Sequence, residues 1–235
     1  DLVAPDIGDW LMMHKEYGQT YMEYVRSGAI TVKNNKDVIY LAPLYCEEND
    51  IDVGFLNALQ MMCEAYFYGM KIKILNKRID LNNYSIEVRI YEENKIQLSA
   101  NQILSVLYSE LPDDAYCLVG FTAKDLFNDH NVIKARDYIY KRKNTGKNFC
   151  YGLSSVRNRV SVFTFARYDP LFYVTIKKDS EKEQELMLRY YFVWLKRACK
   201  VIVNDVLHLF GLKNCTFFKC ILNGFNTMDE FDKRP

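Results

Sequence analysis

Apolar residues recur along this chain with two periods, near two and near 3.6 residues, and the changes between them predict its elements. Trp10, Met13, Tyr17, Tyr21, Tyr24 and Val25 follow three- and four-residue spacings, a peripheral helical segment interrupted near Gly18. Asp37 to Leu44 (DVIYLAPL) is a short β-rich run of the central-strand type, ending at the charged loop CEENDID. Val53 to Tyr68 carries Phe55, Leu59, Met62, Cys63, Tyr66 and Phe67 on one helical face, with Gly69 as its stop. Met70 to Leu75 alternates as a second strand, and Ser85 to Tyr91 alternates again as a hairpin partner or extension.

Ser99 is placed to cap a helix whose apolar face is Ile103, Leu104, Val106 and Leu107 and whose stop is Pro112. Ala115 to Phe127 reads as a third strand, and Asn148 to Ser155 and Val160 to Tyr168 as further strands of the same sheet. The last long helix spans about Leu186 to Phe210, with Leu188, Tyr191, Phe192, Leu195, Cys199, Ile202, Val203, Val206 and Phe210 at helical spacing before a turn at Gly211. Such alternation predicts an α/β or α+β sheet covered by helices. No repeat or linker divides the chain, so residues 1–35 read as an N-terminal helical extension packed on one core domain, 36–235.

Composition narrows the classes of partner. Thirty-one basic against thirty acidic residues leave a net charge of +1, which gives no electrostatic case for nucleic acid or an anionic membrane. No apolar run nears the roughly 20 residues of a membrane helix, and DLVAPDIGDW lacks the basic and apolar regions of a secretory signal, so a soluble protein is expected. The seven cysteines (46, 63, 117, 150, 199, 215 and 220) are too scattered for a disulfide framework and favour a reducing, cytoplasmic or nuclear setting. Cys63, Cys117 and Cys199 fall in apolar patterns, as core residues do. His14 reads as a packing or surface residue, and the basic run Lys141 to Lys147 as a solvated loop.

Candidate chemistry is concentrated in Asn204–Asp205–Val206–Leu207–His208, followed by Gly211 and Asn214. A zinc-peptidase helix places ligands at i and i+4, a glutamate base after the first ligand, and a glycine turn that returns a third ligand: H-E-x-x-H-x-x-G-x-x-H. Here only His208 and Gly211 keep those identities. Asn204 and Asn214 offer amide oxygens, poor partners for a metal that prefers nitrogen and sulfur. Asp205, at the base position, is one methylene shorter than glutamate. The alternative reading of these residues is a hydrogen-bonded polar patch at a helix end.

Beyond Asn214 the chain continues with Cys215, Cys220, N-G-F-N at Asn223 to Asn226, and E-F-D-K-R-P at Glu230 to Pro235. This tail resembles the archaemetzincin (archaelysin) family, especially its eukaryotic branch. IYLAPL, EAYFYG, ANQILSVLYSELPDDAYCLVGFTAKDLF, FTFARY and RACK extend the likeness over most of the chain. The resemblance implies a metzincin-like fold: a twisted mixed sheet, an active-site helix beneath it, and a cleft along an edge strand able to pair with an extended peptide. It also implies that Cys215 and Cys220 belong to a structural zinc site whose other two cysteines follow the D-R-R-P element, outside this sequence. Leu222 stands where the family has a methionine. Catalytic zinc at Asn204, His208 and Asn214 is thus not expected, while zinc at the cysteine pair stays open. Three functional readings follow: a non-catalytic pseudoprotease with a peptide- or partner-binding cleft, a residual aminopeptidase-like zinc enzyme, or a structural or assembly role carried by the surface outside the cleft, including the N-terminal segment.

Overall fold

Two short helices open the chain, α1 (Trp10–Met13) and α2 (Tyr21–Arg26). A reciprocal capping box starts α2, Thr20 Oγ1 accepting from the Glu23 N–H while the Glu23 carboxylate accepts from the Thr20 N–H. The computed structural model describes residues 6–28, 31–32, 35–46, 51–91, 95–128, 149–172 and 182–235; the run Lys141–Lys147 lies outside them. An irregular run separates the two helices and breaks the phase of the apolar stripe read from this segment. Trp10 is buried, whereas Met13, Tyr17, Tyr21 and Val25 are more than half exposed.

The remaining elements are β1 (Val38–Tyr45), α3 (Val53–Tyr66), β2 (Lys71–Ile74), β3 (Ile79–Asp80), β4 (Val88–Tyr91), β5 (Lys95–Ser99), α4 (Ala100–Ser109), β6 (Ala115–Thr122), β7 (Asp125–Phe127), β8 (Gly152–Ser155), β9 (Val160–Thr164), α5 (Lys182–Leu209) and α6 (Met228–Asp232). The main sheet runs β2-β1-β6-β9-β8, parallel except for β8, with β3 also pairing to β1. Its central strands are near-continuous apolar runs because helices cover both faces. Ile39, Leu41, Val119, Phe121 and Phe163 pack toward α3 and α5, while Leu44, Leu118 and Val162 pack toward Ile103, Leu104 and Leu107 of α4. The seat of α4 is close: a Cβ on Gly120 of β6 would lie 2.6 Å from Leu107 Cδ1. The fold is a single mixed α/β domain, as the alternation of elements predicts.

Two strands depart from the pattern reading. Ala115 to Phe127 is two strands, because the Thr122 hydroxyl accepts from the Lys124 N–H at 3.1 Å and turns the chain out of the main sheet. β7 then pairs with β5, and β5 with β4, in a separate three-stranded sheet. The Ser85–Tyr91 alternation therefore serves β5 rather than β2. β5 runs straight into α4, whose N-cap is Ser99, its Oγ accepting from the Gln102 N–H.

The small sheet is fastened to the main one by a buried charge cluster. Asp125 of β7 accepts from Arg167 Nε at 2.8 Å and Nη2 at 2.7 Å, and from Gln97 Nε2 of β5 at 2.9 Å. Both charged side chains are at most 6% exposed, and the Arg167 guanidinium also lies 3.5 Å from the Phe149 ring centroid. Removing one partner leaves a buried charge uncompensated. Arg167→Met should cost about 3–5 kcal/mol in chemical denaturation, and Arg167→Met combined with Asp125→Leu should recover most of that loss.

Candidate functional site

Helix α5 runs beneath the main sheet and carries polar residues into the core at its C-terminal end. Lys200, Asn204, Asp205 and His208 are all at most 7% exposed, among Ala198, Ile202, Val206 and Leu209. The helix ends in a Schellman turn. Gly211, at φ +90°, donates to the His208 carbonyl at 2.8 Å, and the Leu212 N–H reaches the Leu207 carbonyl at 3.2 Å. This turn brings the Leu212 carbonyl to 2.6 Å from His208 Nδ1, so that nitrogen carries the proton. Burial, reinforced by the nearby Arg234 cation, pulls the His208 imidazole down to about 4 against the opposing pull of the Leu212 carbonyl.

Asn204 and Asp205 face different partners. Asn204 Nδ2 donates to the Ile221 carbonyl at 3.0 Å, and Arg234 Nη1 donates to the same oxygen at 3.2 Å. The Arg234 guanidinium is buried over the Phe225 and Phe231 rings, 4.4 and 4.9 Å from their centroids. Asp205 Oδ2 accepts from Ser161 of β9 at 3.2 Å, and Ser161 is 2.9 Å from Ser154 of β8. Burial pushes the Asp205 carboxyl up to about 7, with the Ser161 hydroxyl opposing.

The chain after Gly211 is held from both ends. Asn214 Nδ2 donates to both Glu16 carboxylate oxygens, at 3.0 and 3.1 Å. Gln19 bonds the Gly211 carbonyl and the Lys213 N–H, and the Tyr24 hydroxyl donates to the Phe210 carbonyl. Asn223 folds the cysteine loop: its Nδ2 donates to the Cys215 and Phe218 carbonyls, and its Oδ1 accepts from the Cys220 N–H. The two thiols are neighbours, since burial and then the Cys215 thiol both raise Cys220 above its ordinary value.

No family model matches the chain. Human archaemetzincin-2 is 30% identical over 244 residues, covering 97% of this chain and 63% of that protein. Rat archaemetzincin-1 is 25% identical over 243 residues, covering 97% and 46%. This chain belongs to the archaemetzincin family. It spans less than two thirds of the length of these curated relatives. Archaemetzincin from Archaeoglobus fulgidus, solved with malonate, superposes with a TM-score of 0.50 at 19% identity, over 84% of this chain and 92% of that one. A zinc-dependent peptidase from Methanocorpusculum labreanum does so with 0.55 at 17%, over 83% and 93%. Both share the fold.

The archaemetzincin frame implies zinc, and the donors here do not suit it. Asn204 and Asn214 present amide NH2 groups already committed as donors, Asp205 is bonded to the sheet, and a buried guanidinium stands beside Asn204 where a dication would be repelled. Only His208 is oriented as a ligand is, its Nδ1–H held by a carbonyl. Cys215 and Cys220 supply two thiols to a site that takes four donors. Among the described residues no group of three or more His, Cys, Asp or Glu side chains is placed to hold a metal.

Of the positions singled out by spacing, the helix brings Asn204 and His208 onto one side, and the Gly211 turn returns Asn214 to Glu16. Asp205 turns to the sheet. Cys63 and Cys117 are core residues as read, but Cys199 is only half-buried; His14 stacks on Trp10 at 3.8 Å. The partners Glu16, Ser154 and Ser161 escaped the sequence reading, and Arg234 entered it only as part of the E-F-D-K-R-P tail. Ser161 carried a signal, a hydroxyl set between Val160 and Val162 in the apolar start of β9.

Asp205 and His208 give stability opposite pH slopes. Asp205, raised from 3.8, stabilises fully at low pH and loses that contribution as pH rises through about 7. His208, lowered from 6.5, stabilises fully above pH 6.5 and loses that contribution as pH falls through about 4. Between these values the two largely cancel. Denaturation measured from pH 4 to 6.5 should show Asp205→Asn gaining roughly 2–3 kcal/mol with rising pH and His208→Gln losing a similar amount, with the unaltered chain flatter than either.

Proposed function

We propose that this chain is a non-catalytic archaemetzincin, a pseudoprotease that keeps the family's fold and a peptide- or protein-binding surface without zinc-dependent hydrolysis. One observation carries the reading: each residue that replaces a ligand or base of the zinc motif is engaged by a protein group, Asn204 by the Ile221 carbonyl, Asp205 by Ser161 and Asn214 by Glu16. These bonds satisfy buried polar groups that a metal would otherwise help to satisfy. No hydrolytic step is built from such residues. Asn223 ties the cysteine loop together, and zinc at Cys215 and Cys220 would need two further donors.

A residual zinc peptidase is the second reading, favoured by one feature, the Nδ1–H of His208 fixed on a carbonyl as in metal-ligating histidines. The setting proposed is reducing and intracellular. None of the seven cysteines is in a disulfide, and no helix among the described residues is long and apolar enough to cross a membrane. No nucleic-acid partner is proposed, given the near-neutral charge.

Metal analysis after equilibration with zinc, together with hydrolysis of a peptide library, separates the two readings. The pseudoprotease reading expects well under one zinc per chain and no cleavage, and expects the variant Asn204→His, Asp205→Glu, Asn214→His to gain affinity for zinc. One zinc per chain, with metal and cleavage both lost in His208→Ala, would establish the enzyme instead.

A further inference from the structure

One cleft lies apart from Asn204, His208 and Asn214. It opens between α3 and α5, one turn before Asn204, with a volume of about 430 Å³, at the small end of the range for ligand sites. Met62, Val203 and Ile221 form apolar wall, Tyr66 contributes a phenol, and Lys200 and Lys219 bring positive charge.

Lys200 is the informative residue. Its side chain is 7% exposed, and its ammonium donates to the Asp232 carbonyl at 3.1 Å and the Arg234 carbonyl at 2.5 Å, two of three available donors. Among the described residues no carboxylate lies within ion-pair distance of it. The carboxylate of Asp232, whose carbonyl Lys200 meets, is taken by Arg197 at 2.6 and 2.9 Å. Burial lowers the Lys200 ammonium below its ordinary value, and the cations Lys196, Arg234 and Lys219 lower it further, with Asp232 opposing. A buried ammonium with a donor to spare, at the wall of an apolar cleft and among other cations, lacks an anion.

The geometry points to a binding site for a small amphipathic carboxylate, its head between Lys200 and Lys219 and its hydrocarbon part against Met62, Val203 and Ile221. Both parts are needed for recognition. The carboxylate supplies the charge-assisted bonds that Lys200 lacks, and the tail removes apolar wall from water. The site shares no residue with Asn204, Asp205, His208 and Asn214, although Cys220 lies in its wall, so it stands whether or not the chain hydrolyses peptides.

Octanoate, octanol and inorganic phosphate titrated into the full chain by calorimetry test the assignment, with methyl chemical shifts of Met62, Val203 and Ile221 locating the ligand. Octanoate should bind one to one and perturb those methyls. Octanol, without the charge, and phosphate, without the tail, should each bind at least tenfold more weakly. Lys200→Met should weaken octanoate at least tenfold, and Lys219→Glu, at an exposed position, several-fold with an unchanged melting temperature. If Lys200→Met does not fold, the Lys219→Glu result and the octanol comparison decide. Failure of octanoate to bind, equal binding of octanol or phosphate, indifference to Lys219→Glu, or shifts elsewhere would each overturn the assignment.

Discussion

Asn204, Asp205 and His208 are buried within little more than one turn of a helix beneath the sheet, and a buried polar group left without a partner costs about 1–3 kcal/mol. Much of the architecture around α5 meets that demand. The Schellman turn at Gly211 delivers the Leu212 carbonyl to His208, the loop from Cys215 to Asn223 delivers the Ile221 carbonyl to Asn204, and β9 and β8 present Ser161 and Ser154 to Asp205. The C-terminal segment is pinned by the same logic, with Arg234 on Ile221 and Lys200 on the carbonyls of Asp232 and Arg234. The N-terminal segment then closes over the turn through Glu16, Gln19 and Tyr24.

Much of this was legible in the residues, and the limits have physical causes. Apolar period and caps located β1, α3, α4 and α5 to within a few residues, because a strand buried on both faces and an amphipathic helix leave strong local patterns. The partition of strands between two sheets was not legible. It depends on the Thr122 hydroxyl turning the chain and on pairing between segments tens of residues apart. The N-terminal stripe misled, since its spacings suit a helix but the irregular run between α1 and α2 takes it out of phase, leaving Tyr17 and Tyr21 about 80% exposed.

At the site, spacing told which residues share a helix side but not what they meet. Asn204 and His208 fall on one side by their four-residue interval, whereas the partners of Asp205 sit about 40 residues upstream and that of Asn214 almost 200. Glu16 and Arg234 carry no local signal that ties them to α5. The sequence motif and the hydrogen bonds nonetheless point the same way. Each ligand histidine replaced by asparagine has gained a hydrogen bond to a carbonyl or carboxylate, an arrangement that holds the fold with protein atoms alone.

The proposed reading therefore rests on whether protein groups or a metal complete the coordination of His208. A crystal grown with excess zinc and measured on both sides of the zinc absorption edge answers this directly. The predicted result is no anomalous peak at bonding distance, about 2.1 Å, from His208 Nε2, with Asn204 still on the Ile221 carbonyl. A fully occupied peak there, with Asn204 and Asn214 turned onto the metal, would contradict it.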